Sequence, residues 1–109
     1  MDLRNSLNDG SQRMLNALEP GTVIPIHRHK GSSETVAIIR GRIRWIFFDD
    51  DGKETESILL DEDGEVRMLV AEKGRWHSLE CFESSVIFEC IDGPYHPLEE
   101  DELFDVAKK

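Results

Sequence analysis

Basic residues are scarce in this chain: 13 Lys+Arg stand against 23 Asp+Glu in 109 residues, a formal net charge of −10 at pH 7 with histidine neutral. The sequence pI near 4.7 speaks against nucleic acid and against an anionic membrane surface as partners, since both are held by a basic patch. Long apolar runs are lacking too. None approaches the ~18 residues of a transmembrane helix, and the start Met1-Asp2-Leu3-Arg4-Asn5-Ser6 is polar where a secretory signal would be apolar. The expectation is a soluble, cytoplasmic protein. Linkers, internal repeats and low-complexity tracts are absent, and the length fits one domain over 1–109. Hydrophobic residues at 39% suffice for one core, and charged residues at 33% cover its surface.

Cysteine is limited to Cys81 and Cys90. They flank the turn signal Glu83-Ser84 between apolar runs at 76–82 and 85–91. A hairpin centred on that dipeptide pairs Cys81 with Val86 and Cys90 with His77, which keeps the thiols beyond the ~7 Å that a bridge allows. Reduced, buried thiols are the expectation.

What remains is a succession of short apolar runs, punctuated by turn signals every 8–12 residues or so. Strands are expected over 13–18, 23–27, 35–40, 42–48, 54–60, 65–71, 76–82 and 85–91, rich in Val, Ile, Phe and Trp. Asp50-Asp51-Gly52 and Asp63-Gly64 mark tight turns. Helical periodicity is missing before residue 98, where 98–107 reads as one short acidic helix or an extended tail. Eight short strands point to an all-β, jelly-roll barrel with its core over about 13–91, a tail over 92–109, and an interior for a small ligand or ion. Trp45-Ile46-Phe47-Phe48 is apolar on both faces, so one face fills the barrel and the other needs a tail or a second subunit. A homodimer through the outer sheet is the expected assembly.

Four histidines are present: His27, His29, His77 and His96. On a strand, residues two apart project from one face, so His27 and His29 can converge. Glu34 follows a short polar loop and brings an oxygen beside the two nitrogens. His77 alternates with Leu79 and Cys81 and reads as inward-facing. Three imidazoles and a carboxylate make a donor set for one divalent transition metal, with Zn, Fe, Ni and Mn all admissible. Surface histidines and an ordinary surface glutamate are the plainer alternative for a lone His-x-His.

The further spacing carries a resemblance. Gly21, five residues, His27-Arg28-His29, four residues, Glu34, six residues and Gly41 resemble the first motif of the cupin superfamily without a gap. The second motif is degenerate: Gly74 and His77 keep their interval, whereas Glu72 stands for the usual proline, Cys81 for the asparagine, and Gly64 lies two residues too far. The segment from Gln12 to Gly21, Arg40-Gly41-Arg42, Phe48-Asp49-Asp50-Asp51-Gly52 and Gly93-Pro94-Tyr95 look like the WbuC-type cupin fold metalloproteins. That resemblance implies a metal-bound cupin double-stranded β-helix, His27, His29, Glu34 and His77 as ligands, and an association with surface-polysaccharide genes. It implies no particular reaction, because cupins host oxygenases, isomerases, decarboxylases and binding proteins on one scaffold.

Other residues have weaker claims. Arg28, Arg40, Arg42 and Arg44 form a basic cluster, and Arg44 at the barrel mouth would hold an anionic ligand; surface ion pairing is the alternative. Glu89 and Tyr95 are further candidates for ligand contact. Cys90, in the hairpin register above, neighbours His77. Trp45 and Trp76 read as core or lining residues, Trp76 on the face opposite His77, and His96 lacks a spacing partner. The function expected is a small metal-binding cupin acting on, or binding, a sugar or sugar-nucleotide derivative. The alternatives are a non-catalytic metal-dependent binding or sensing module, and an Fe(II) dioxygenase.

Overall fold

Seven strands form where β-branched and aromatic residues alternate with polar ones, and a computed structural model describes them within residues 1–104. They are β1 (Ser11–Leu18), β2 (Glu34–Arg40), β3 (Arg42–Phe48), β4 (Glu54–Asp61), β5 (Met68–Ala71), β6 (Trp76–Cys81) and β7 (Ser85–Asp92). All pairings are antiparallel. One sheet has the order β1-β7-β2-β5 and the other β4-β3-β6. The expected all-β architecture of antiparallel strands is therefore observed, as two sheets with seven strands in place of the eight expected.

The core lies between the sheets because their inward positions are apolar. Val36, Ile38, Leu69 and Ile87 come from the first sheet; Ile43, Trp45, Phe47, Leu60 and Leu79 come from the second. Each is buried, and removing a side chain of this size from water is worth ~1.5–3 kcal/mol. Trp45 and Phe47 fill the interior, and Ile46 on the opposite face is buried at 5% exposure within the single chain. The outer face of β6 is covered by the chain itself: Ser78 Oγ donates to the Ile24 carbonyl at 2.6 Å. Trp76 lies under the Arg28 guanidinium, 4.2 Å from the ring centre, and meets the Phe104 ring edge-on at 5.5 Å.

Gly41 makes the corner at which the chain leaves one sheet for the other. Its φ is +90°, and a Cβ there would fall 2.3 Å from Ser85 Oγ and 2.6 Å from the Ser84 carbonyl oxygen. Only glycine fits such a conformation and such an approach.

Three expectations need correction. Residues 23–27 are not a strand. Pro25 has no N–H to give a ladder, Val23 is 88% exposed, and only His27 forms bridges, one to His77 and one to Leu103. The expected hairpin over 76–91 is an arch: β6 pairs with β3, whereas β7 pairs with β1 and β2 in the other sheet. Cys90 therefore faces Arg13 and Thr35 across the strands, not His77. Both cysteines are free thiols. The strand expected over 65–71 is confined to Met68–Ala71.

The C-terminal segment chooses neither pure form expected of it. A single 3₁₀ turn, Glu100–Glu102, is followed by extended chain at Leu103, and the part of 98–107 from Asp105 onward lies outside the described residues. This segment straps the 26–30 stretch: Arg28 N donates to the Glu102 carbonyl at 2.9 Å and Phe104 N to the Ile26 carbonyl at 3.0 Å. Among the described residues, no helix is long and apolar enough to cross a membrane.

A candidate metal centre

Three imidazoles and one carboxylate converge inside the barrel although they come from three separate parts of the chain. His27 sits in the irregular β1–β2 connection and is fastened to β6 by a reciprocal pair, His27 N to the His77 carbonyl at 3.1 Å and His77 N to the His27 carbonyl at 2.9 Å. His29 is anchored on the other side, its carbonyl accepting Gly74 N at 2.7 Å. Glu34 opens β2, and His77 is the second residue of β6. The ligating atoms of His27, His29 and His77 all lie within 4.8 Å of one another. Ring centres are 5.4 Å apart for His27 and His29, and 4.4 Å for His27 and His77.

The hydrogen bonds assign the tautomers. His27 Nδ1 lies 2.8 Å from the Pro25 carbonyl oxygen and His77 Nδ1 lies 3.0 Å from that of Arg75. A carbonyl oxygen only accepts, so each Nδ1 carries the proton and each Nε2 presents a lone pair. His77 Nε2 and Glu34 Oε2 are 3.3 Å apart, and His29 Nε2 is 3.8 Å from the same oxygen. Among the described residues, neither His77 Nε2 nor Glu34 Oε2 has a hydrogen-bond partner, and both are buried. Acceptors thus face acceptors in a dry setting, a costly arrangement unless a proton or a cation stands among them. The donor chemistry fits a divalent transition metal.

Electrostatics push in the same direction. Burial holds His27 below the ordinary imidazole value, with the neighbouring His77 adding to it. Burial also lowers His77. His29 is pushed down to about 4 by burial and then by His27 and His77. All three stay neutral at pH 7, the form that binds a metal. Burial raises Glu34, against a hydrogen bond from Glu89. Glu89 is raised to about 8 by burial first and by its contact with Glu34 second. Two carboxyls in contact away from water do not both ionise at neutral pH, so the metal-free pair retains a proton.

A cavity of about 300 Å³ opens beside this cluster, with His27, His77, Glu34 and Glu89 among its lining. Trp45 forms its floor, stacked on His77 at 4.9 Å and 18°. Asn16 of β1 donates from Nδ2 to Glu89 Oε1 at the cavity edge.

Of the residues singled out in the sequence, His27, His29, Glu34, His77 and Glu89 are brought together. Arg44 is not: it alternates with Trp45, projects from the outer face of its sheet, and is bound by Glu54 at 2.8 Å and Glu80 at 2.7 Å. Arg42 is likewise outside, over the Phe82 ring. Tyr95, 58% exposed, borders a different hollow, on whose wall His29 also stands. His96 has company after all, since its ligating atom lies within 4.8 Å of atoms of Glu99 and Glu102. The Glu102 oxygens there already accept the N–H groups of Lys30 and Glu99.

Sequence reasoning missed Asn16 and Glu102. Asn16 has the strand alternation of an inward residue, two positions from Leu18. For Glu102, the signal was the acidic run 99–102 complementing Lys30, whose Nζ binds Glu99 at 2.9 Å and Asp101 at 2.7 Å.

Among solved structures, the fold is similar to CapF bound to the inhibitor 3-isopropenyl-tropolone, at 19% identity and a TM-score of 0.70, over 82% of this chain and 26% of that one. It is also similar to a cupin-2 domain containing protein from Shewanella frigidimarina, at 24% identity and a TM-score of 0.60, over 85% and 79% of the two chains. A third is Bacillus subtilis oxalate decarboxylase, described with Mn(II) centres, at 20% identity and a TM-score of 0.65, over 89% of this chain and 24% of that one. The chain thus spans about a quarter of the length of oxalate decarboxylase and of CapF. These likenesses are of fold alone, and the fold they share is that of cupin domains. No curated protein matches in sequence. The model of a family described as a domain of unknown function, DUF6016, matches residues 1–60.

Proposed function

We propose that this chain, which belongs to the DUF6016 family, is a metal-dependent cupin that binds one divalent transition metal through His27, His29, Glu34 and His77. The observation that carries the reading is the buried set of inward lone pairs: Nδ1 of His27 and of His77 is tied to a carbonyl, and Glu34 Oε2 faces His77 Nε2 without a hydrogen-bond partner among the described residues. Zn, Fe, Ni and Mn all suit three imidazoles and a carboxylate, and Mn(II) in a cupin-fold neighbour supports keeping it in that set. A bound ion would supply Lewis acidity toward an oxygen-bearing ligand. The protein's own part is to hold neutral imidazoles, exclude water on the Trp45 side, and present the Glu89 carboxyl and the Asn16 amide toward the ligand.

The ligand we propose is a small carbohydrate-derived molecule, in keeping with the resemblance to WbuC-type cupins in chain segments such as the one from Gln12 to Gly21. The whole chain, 1–109, is proposed to act as one cytoplasmic domain. A homodimer through the outer face of the four-stranded sheet is supported by Met68 and Val70 on the edge strand β5, at 60% and 49% exposure.

Elemental analysis of protein purified without an affinity-resin metal tests the centre. Near-stoichiometric metal is expected in the wild type, and loss of it is expected in His27→Ala/His29→Ala. Retained metal in that variant would refute the assignment. Sedimentation of Met68→Glu against the wild type tests the dimer, with a monomeric wild type as the refuting result.

A further inference from the structure

The cavity beside the histidines is small, and its lining is lopsided in charge. At about 300 Å³ it lies at the low end of the ~300–1,000 Å³ typical of small-molecule sites. Among the described residues, no lysine or arginine lines it, and the acidic side chains that do are Glu34 and Glu89. The arginines that would serve an anion are engaged elsewhere: Arg44 by Glu54 and Glu80, and Arg28 against Trp76. Only an anionic oxygen lying against the metal ion itself would be offset; a phosphate or a second carboxylate beyond it would face the Glu89 carboxyl with no lysine or arginine in the lining.

The polar groups have a consistent placement. Asn16 and Glu89 stand together on β1 and β7, joined by the Asn16 Nδ2 to Glu89 Oε1 hydrogen bond. An asparagine amide has two N–H donors and an oxygen with two lone pairs, of which this bond uses one. A carboxyl has acceptor positions beyond the one Asn16 occupies. The remaining wall is apolar, from Leu18, Leu79 and Ile87. A ligand matched to this lining offers hydroxyls along one edge, to give and accept hydrogen bonds at Asn16 and Glu89, and carries C–H surface on the other.

We infer that the cavity selects a small, uncharged, hydroxyl-bearing ligand of about monosaccharide size, with the Asn16–Glu89 pair as its specificity edge, and that it rejects sugar nucleotides and dicarboxylates. This rests on the metal-site reading above for the ion beside the ligand; the lining that sets the selectivity belongs to the chain alone.

Ligand-observed NMR on the full chain loaded with Zn(II), its metal content measured beforehand, tests the inference with D-mannose, D-glucose, myo-inositol, UDP-glucose and oxalate as probes. At least one of the three uncharged polyols is expected to bind at least tenfold tighter than UDP-glucose and oxalate. Asn16→Leu should weaken that ligand at least tenfold while leaving zinc stoichiometry unchanged. Glu89→Gln is close to isosteric and should fold even where Asn16→Leu does not; it too should weaken the same ligand. Equal or tighter binding of UDP-glucose or oxalate overturns the inference, as does failure of all three polyols or a Glu89→Gln variant that binds as the wild type. Failure to take up zinc instead sinks the metal assignment, and the same titration on the metal-free chain then tests the lining by itself.

Discussion

Glu102→Ala removes the carboxylate that fastens the C-terminal strap to the histidine-bearing segment. Glu102 is 1% exposed, its Oε2 accepts Lys30 N at 2.9 Å and its Oε1 accepts Glu99 N at 3.0 Å. Alanine leaves both N–H groups without these acceptors. Each loss costs about 1 kcal/mol, the low end of the range for an orphaned donor, because both donors belong to exposed residues that water partly reaches. The sum, about 2 kcal/mol, corresponds to a Tm lower by ~8 °C for a domain of this size. Lys30→Ala deletes only solvent-exposed ion pairs to Glu99 and Asp101 and should lower Tm by less than half as much. The Lys30 N–H bond immediately follows His29 in the chain, so zinc affinity in Glu102→Ala should also fall, by ~10-fold, as it does when groups supporting a ligand are lost. Burial pushes the Glu102 carboxyl up, but the Glu99 and Lys30 N–H groups outweigh it and hold the carboxyl below its ordinary value of 4.5. A carboxyl depressed in the folded state stabilises above its unfolded value and loses that contribution as pH falls through the folded one. The variant should therefore lose less stability than the wild type on acidification below pH 4.5. Differential scanning fluorimetry over pH and a competitive zinc titration give all three readouts. A Tm change under ~2 °C, or a larger loss in Lys30→Ala, would refute the reasoning.

Gly41→Ala should cost at least ~2 kcal/mol in urea unfolding, since positive φ and backbone contact act together, whereas Gly21→Ala, with φ +87° and open space around it, should cost only ~1 kcal/mol; equal costs would show that the corner packing is misread. Metal-free protein should lose stability as pH falls from 6.5 toward 4, because His29, depressed to about 4, takes up its proton more readily in the unfolded chain. His29→Ala should flatten that part of the Tm profile, and an unchanged slope would count against the buried neutral imidazole. His77→Ala should reduce bound metal well below stoichiometry by elemental analysis. It should also change the Trp45 emission, because the ring stacked on the indole is gone; unaltered fluorescence would contradict the stacking.

The strand pattern was legible wherever one face of a strand is buried and the other is not. β2 and β5 show this plainly: Val36 and Ile38 alternate with exposed or half-exposed neighbours, and Leu69 with Met68 and Val70. Partner choice was not legible. The turn signal at Glu83-Ser84 is as good a hairpin signal as many, yet β6 and β7 pair with different sheets. Two local features make it an arch. Ser85 Oγ, which donates to the Glu83 carbonyl at 2.7 Å, also accepts Arg42 N at 3.0 Å. Gly41 lets that backbone come close enough. The Arg42–Ser85 bond and the Gly41 approach join residues distant in sequence, so no short window contains them, and the Cys90–His77 adjacency failed with the hairpin.

The imidazoles were legible for the opposite reason: spacing by two puts His27 and His29 on one side of any extended chain, even one too irregular to be a strand. What fixes their direction was not visible, because it is a tertiary fact. The segment carrying them lacks a ladder of its own, Pro25 forbids one, and it is held instead between β6 through His77 and the C-terminal strap through Glu102 and Phe104. Net charge misled in a related way. The −10 total made the arginines look like the natural place for a ligand, but an acidic surface supplies its own partners, and Arg44 is taken up by Glu54 and Glu80. The carboxylates that matter to the cavity, Glu34 and Glu89, are those with no lysine or arginine beside them in its lining. In an acidic chain, an acid buried without a cation is the more informative signal. It can remain there only by holding a proton, as the Glu34–Glu89 pair does without metal, or by meeting a metal ion.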